Sequence, residues 1–150
     1  MATLTIIAGL QGAGKSHRVD ELRRVTSGIC VPDFMKDSIK HSAQFIHSQH
    51  YPQVINDLRD GKDCIIADVA FCNTGRRVEA EQVVAHDVPG VTIKCEFFEN
   101  DSAKCRVNAL HRNRPNVDEE LQKIDDLSAE YDISPGAKLL PVWSEEGMSA

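Results

Sequence analysis

Leu4-Thr5-Ile6-Ile7-Ala8-Gly9-Leu10-Gln11-Gly12-Ala13-Gly14-Lys15-Ser16 is the stretch that decides how the rest of the chain is read. Its first five residues form a short, β-branched, mostly apolar run, the pattern of a strand buried on both faces of a parallel sheet. The last eight match G-x-x-x-x-G-K-[ST] at every fixed position. Glycines let a backbone turn its N–H groups inward around a phosphate without Cβ clashes, and the helix expected next adds the positive end of its dipole. Lys15 then reaches the β- and γ-phosphates of a nucleotide, and the Ser16 hydroxyl suits Mg²⁺. From average residue usage such a match arises by chance in roughly 0.5% of chains this long, before its strand-loop-helix setting is required. Gly9, Gln11, Gly12, Ala13, Gly14, Lys15 and Ser16 are therefore the candidate nucleotide-binding residues, with ATP and Mg²⁺ the expected cofactors.

Working outward, Val19, Leu22 and Val25 recur at helical spacing with charged residues between them. A second apolar run, Ile29-Cys30-Val31, stops at Pro32, which cannot continue a central ladder. Ile39, Ala43 and Ile46 suggest a helix. Pro52 opens another that carries Val54, Ile55 and Leu58 and closes at Gly61. Cys64-Ile65-Ile66-Ala67 reads as the third strand and delivers Asp68 at its carboxyl end. Val78, Val83 and Val84 lie in a helical stretch ended by Pro89-Gly90, and a fourth strand runs from about Val91 to Phe98. Asn116 is placed to cap a helix carrying Val117, Leu121, Ile124, Leu127 and Tyr131, with Glu119 where a capping box wants it. Ser134-Pro135-Gly136 breaks that helix before a last strand, Leu139 to Trp143. Strands alternating with helices predict a parallel, three-layer α/β sheet, and with no repeat or linker the whole of 1–150 reads as one domain.

Composition narrows the setting. The 150 residues are 41% hydrophobic, enough for a core without disulfides or metals. No run of about 18 apolar residues occurs, and no basic-then-apolar leader opens the chain, so no membrane span or secretion is expected. The five cysteines are odd in number, with no C-x-x-C pair and no His at zinc-finger spacing, which predicts a reduced cytoplasmic protein without structural zinc. The net charge of -6 is local: Asp118, Glu119, Glu120, Asp125, Asp126, Glu130 and Asp132 stand against Lys123 alone, and the rest of the chain is balanced. These acids interleave with an apolar stripe and read as a solvated helix face.

Three further sets of residues suit phosphoryl transfer. Asp68, ending a strand, is a candidate ligand of hydrated Mg²⁺ and a candidate substrate contact, with a helix N-cap as the plainer reading. Asp33, just past the second apolar run, could accept the proton of an attacking hydroxyl. Lys104 to Arg114 contains no acidic residue, and its Arg106, Arg112 and Arg114 are candidate cations for the transferring phosphate on a mobile lid. Six residues separate Arg106 from Arg112, so one helix cannot set both on one narrow stripe. Arg76 and Arg77 are the next cations, and His17 receives no role. There is no N-K-x-D motif, and Asp68 is followed by Val69 rather than Glu, so neither a Ras-type GTPase nor a water-activating ATPase is indicated. Transfer to a hydroxyl is the expectation that remains.

From about residue 3 to 143 the chain resembles the P-loop kinases related to the kinase domain of bacteriophage polynucleotide kinase. The resemblance rests on Gly9 to Ser16, Asp33-Phe34-Met35-Lys36, Ile65-Ile66-Ala67-Asp68 followed by Arg76-Arg77, and the arginine-bearing lid. It implies a five-stranded parallel sheet of order 2-3-1-4-5, Asp33 as the residue that activates a 5′-hydroxyl, and Lys36 on the acceptor phosphate. It also implies Arg112 or Arg106 on the donor phosphates. The expected activity is an ATP-dependent kinase with Lys15, Asp33 and Arg112 as its catalytic residues, acting on a nucleic-acid 5′-end. A small-molecule acceptor such as a nucleoside, sugar or metabolite is the alternative, as are a nucleotide hydrolase or switch without an acceptor and a binding protein that has lost catalysis. Apolar Val69-Ala70-Phe71, where that family often has a polar run, motivates the last of these.

Overall fold

Thr3–Ala8 form β1, the strand on which the sheet is built. Leu4, Ile6, Ile7 and Ala8 are wholly buried, so the run is covered on both faces, as its lack of polar alternation requires. The computed structural model describes residues 2–25 and 51–144. β1 is flanked in parallel by β2 (Cys64–Ala67) and β3 (Thr92–Phe98), with Leu4 opposite Cys64 on one side and Ile93 on the other. A fourth strand, β4 (Leu139–Leu140), pairs in parallel with Phe97 and Phe98, and the order is β2-β1-β3-β4.

That order has the arrangement 3-1-4-5 of the five strands expected. Among the described residues there are four strands, not five, and the expected strand at Ile29-Cys30-Val31 lies outside them. The helix expected over Ile39 to Ile46, Asp33 and Lys36 lie outside them too. The last strand spans two residues rather than five because Pro141 has no N–H to donate. The chain then leaves the sheet, and Trp143 N–H donates to the Ala13 carbonyl at 2.8 Å.

Among the described residues, five helices connect the strands: α1 (Lys15–Val25), α2 (Tyr51–Arg59), α3 (Thr74–Asp87), α4 (Ser102–Arg112) and α5 (Val117–Glu130). Their ends follow local chemistry. Asn73 caps α3 by accepting from Arg76 N–H at 3.1 Å, and Asp101 caps α4 by accepting from Lys104 N–H at 3.1 Å. α4 stops at Asn113, whose φ of 48° is the left-handed turn a helix commonly ends on. Asn116, expected to cap α5, makes no side-chain capping bond, so the capping box is not formed. Val54, Leu58, Ile65, Ile66, Phe71, Val84 and Ile124 meet β1 in one core. Each such side chain removed from water contributes roughly 1.5–3 kcal/mol, before the entropy of ordering it. Tyr131 closes the core from the far end of α5, its buried hydroxyl donating to the carbonyls of Phe98 at 2.6 Å and Ala8 at 3.2 Å. The core thus fixes the carboxyl ends of β1 and β2, where the loop Gly9–Gly14 and Asp68 emerge.

Candidate active site

The loop between β1 and α1 is held in shape by contacts a side chain would destroy. Gly12 has φ +80°, and a Cβ there would lie 2.8 Å from the Cys105 carbonyl oxygen. Gly14 has φ +108°, and a Cβ there would lie 2.5 Å from the Trp143 Cβ. Both positions accept only glycine. Gly9, with negative φ, is confined instead by the Phe98 ring, 3.1 Å from where its Cβ would stand.

α4 is the second part of the cradle. Asn108, 1% exposed, donates its amide to the Gly12 carbonyl at 2.8 Å and to the Trp143 carbonyl at 2.5 Å. One side chain therefore ties the loop, α4 and the segment after β4 together. On the far side of Gly14 the Trp143 ring stacks on His17, with centroids 3.8 Å apart and planes 14° from parallel. The sequence reading assigned no role to Asn108 or His17. A lone Asn or His in a polar helix carries no signal of its own, and both partners are far away in the chain or in loops.

Lys15 is the buried cation of the site, 7% exposed, with Nζ donating to the carbonyls of Gly9 and Leu10 at 2.8 Å each. Burial pulls its pKa below the ordinary 10.5, the nearby Asp68 carboxylate works the other way, and the Arg112 charge adds to the lowering. Asp68 is fully buried, and one of its oxygens accepts from Ala70 N–H at 3.0 Å, capping the 3-10 turn Val69–Cys72. The N-cap reading of Asp68 holds, and the residue faces the cleft as well.

A cavity of about 680 Å³ opens between the loop, that 3-10 turn and the two helices α4 and α5. Its walls bring together Gln11, Gly12, Gly14, Lys15, Ser16, Asp68, Arg76, Arg112 and Arg114. The volume is that of a site that encloses a small ligand. Gly9 and Ala13 sit behind this surface as buried supports. Arg106 does not join it. Its guanidinium pairs with Asp125 at 2.7 Å and reaches the Leu121 carbonyl at 3.4 Å, which clamps α4 to α5. The helical spacing that separates Arg106 from Arg112 sends the first to the neighbouring helix and the second into the cleft. Arg77 is likewise excluded: it is 3% exposed, donates to the Phe71 carbonyl at 2.6 Å and lies 4.7 Å over the Phe97 ring. Arg76, one residue earlier, lines the cavity.

The acidic helix requires a correction. α5 is not simply a solvated face, because Glu119, Glu120, Asp126 and Glu130 form one wall of the cavity, with Lys123 among them. Glu120 is only 5% exposed. Helical periodicity identified the apolar stripe that packs inward but not that the adjoining stripe borders a cleft.

Ser16 and Asp68 supply a hydroxyl and a carboxylate on the same wall as Lys15. Two hard oxygen donors beside a phosphate cradle fit Mg²⁺, which takes the rest of its shell from phosphates and water. Among the described residues no group of three or more His, Cys, Asp or Glu is placed to hold a metal ion.

A glycine-rich phosphate loop on the central strand of a parallel α/β sheet, with Arg112 and Arg114 lining the cavity beside it, gives a fold that resembles the P-loop kinases. A solved structure has this arrangement too: the gluconokinase from Sinorhizobium meliloti 1021 superposes with a TM-score of 0.57 over 97% of this chain and 85% of that one, at 12% identity. In sequence, an uncharacterized protein of Acanthamoeba polyphaga mimivirus is 27% identical over 135 residues, 90% of each chain. No family model matches the chain. Among the described residues no helix is long and apolar enough to cross a membrane.

Proposed function

We propose that the protein is an ATP- and Mg²⁺-dependent phosphotransferase whose acceptor is a hydroxyl of a small molecule. The observation that carries the reading is the convergence of buried Lys15 with Ser16, Asp68, Arg76, Arg112 and Arg114 on one cavity of about 680 Å³ at the glycine loop. Loop N–H groups and Lys15 would hold the donor phosphates, and Arg112 and Arg114 would neutralise charge on the transferring oxygens. Mg²⁺, which Ser16 and Asp68 would hold, would supply charge neutralisation on the donor phosphates. The acceptor oxygen forms a bond to the γ-phosphorus, the bond to the β-phosphate oxygen breaks, and the hydroxyl proton passes to a base. Asp33 is assigned that base role from its place after the second apolar run and from the polynucleotide-kinase resemblance, and Lys36 a contact to the acceptor from that resemblance alone.

Two observations favour a small acceptor over a nucleic-acid end. The α5 wall carries the buried Glu120 carboxylate, which disfavours a phosphodiester chain against it. The fold likeness is to a kinase whose name specifies a small sugar acid. The test is transfer of label from γ-labelled ATP to an acceptor panel, with Lys15→Ala in parallel. The wild type should label an acceptor, and Lys15→Ala should fall to background with its circular dichroism unchanged. Full activity in Lys15→Ala refutes the assignment, and steady phosphate release that ignores every acceptor replaces it by a hydrolase.

A further inference from the structure

Three polar atoms on the cavity wall are buried and meet no hydrogen-bond partner: Glu120 Oε1, Arg76 Nη1 and Gln11 Oε1. Leaving such atoms unpaired costs a fold, the more so for a desolvated charge, so three of them facing one cleft mark a surface shaped for a ligand. Glu120 is the most telling, at 5% exposure in the first turn of α5 and with no ion pair to any described residue. Glu119, Lys123, Asp126 and Glu130 beside it are exposed, where solvent screens them, so the buried carboxylate decides what this wall recognises.

We propose that Glu120 and Arg76 are the acceptor-reading pair of this site, and that the acceptor is an uncharged polyol or sugar. The inference rests on the phosphotransferase reading above and names its substrate class. Glu120 Oε1 requires a donor and Arg76 Nη1 requires an acceptor. A hydroxyl is both at once, and neighbouring hydroxyls on one small molecule meet the two groups without leaving a charge behind. A phosphate- or carboxylate-bearing acceptor meets Arg76 and is repelled by Glu120. An ammonium-bearing one meets Glu120 and is repelled by Arg76. Gln11, offering an amide that donates and accepts, adds to the preference for hydroxyls. Arg76 and Glu120 line the cavity from two different helices, the start of α3 and the start of α5, so a molecule that meets both is oriented as well as selected.

The experiment presents the full chain with γ-labelled ATP and six probes in four arms: glucose and its reduced hexitol as the neutral arm, gluconate and glucose 6-phosphate as the anionic arm, glucosamine as the cationic arm, and a 5′-hydroxyl dinucleotide as the nucleic-acid arm. Preference for the neutral arm is expected. Glu120→Gln and Arg76→Gln should then raise the neutral acceptor's KM roughly ten- to hundredfold, the effect of losing one charge-assisted hydrogen bond, with the KM for ATP unchanged. Glu120→Gln should not lower the thermal midpoint, because a neutral amide replaces a desolvated carboxylate. Label going preferentially to a charged acceptor overturns this inference and leaves the kinase reading standing. Label going nowhere, with ATP bound, overturns both. A variant that raises the KM for ATP instead, or loses thermal stability at unchanged acceptor KM, shows a ribose-binding or structural role and overturns the pair.

Discussion

Asn108→Ala should be among the most costly single changes in this molecule that touch no ligand. The amide serves two carbonyls at once, Gly12 at 2.8 Å and Trp143 at 2.5 Å, from a side chain 1% exposed. Truncation leaves the buried Gly12 carbonyl without its donor, at about 1–3 kcal/mol. Trp143 is half-buried and recovers part of its bond from water, so its share is about 0.5–1.5 kcal/mol. The sum is about 1.5–4.5 kcal/mol, a large part of the ~5–15 kcal/mol by which a domain of this kind is stable. Urea unfolding reads it directly: the midpoint should fall with the slope unchanged. ATP affinity by calorimetry should fall as well, since Gly12 is part of the cradle. Arg106→Ala is the internal control. Its pair with Asp125 is 39% and 50% exposed, so its loss should cost less than about 1 kcal/mol. If Asn108→Ala and Arg106→Ala cost the same, or Asn108→Ala costs under about 0.5 kcal/mol, the two-carbonyl argument is wrong.

Gly14→Ala places a methyl group 2.5 Å from the Trp143 Cβ at φ +108°, and should cost about 2 kcal/mol or more together with nucleotide binding, checked by unfolding and calorimetry. Arg112→Ala should lower kcat by about 10²–10³-fold while Arg106→Ala leaves it within about twofold, because only the first lines the cleft; steady-state kinetics separate them. Burial pushes the Cys72 and Cys105 thiols from an ordinary value near 9 up to about 11. The unfolded chain therefore loses those protons first, and stability should hold below pH 9 and decline between 9 and 11. Urea midpoints at pH 8 and 10.5 measure this, and Cys72→Ala should reduce the decline.

The glycine loop was legible because its chemistry is contiguous: one strand, eight residues and the start of one helix hold the cradle, and spacing along the chain equals spacing in space. β2 and Asp68 were legible for the same reason, an apolar run that ends in a carboxylate. The parts that escaped depend on elements meeting. Asn108 looks like any polar residue of a basic helix until Gly12 and Trp143, 96 and 35 residues distant, are placed beside it. Arg76 and Arg77 are adjacent and alike in sequence, yet the helical turn between them sends one to the cleft and the other under Phe97. The segment read as a mobile lid proved to be in part a packed helix, because Cys105, Asn108 and Ala109 are buried among its charges. Glu120 was grouped with a solvated face, since periodicity fixes a residue's angle about its own axis and says nothing about what stands opposite.

The stack of Trp143 on His17 has a practical consequence. Trp143 is the chain's single tryptophan, and it sits with its Cβ against Gly14 and its backbone bonded to Ala13 and Asn108. Its emission therefore reports from the phosphate cradle, and Tyr51 and Tyr131 are the chain's only tyrosines. Excited selectively at its long-wavelength edge, this indole is a built-in optical sensor. A titration with nucleotide, in a protein carrying no dye or tag, can follow the loop through the colour and intensity of a single residue.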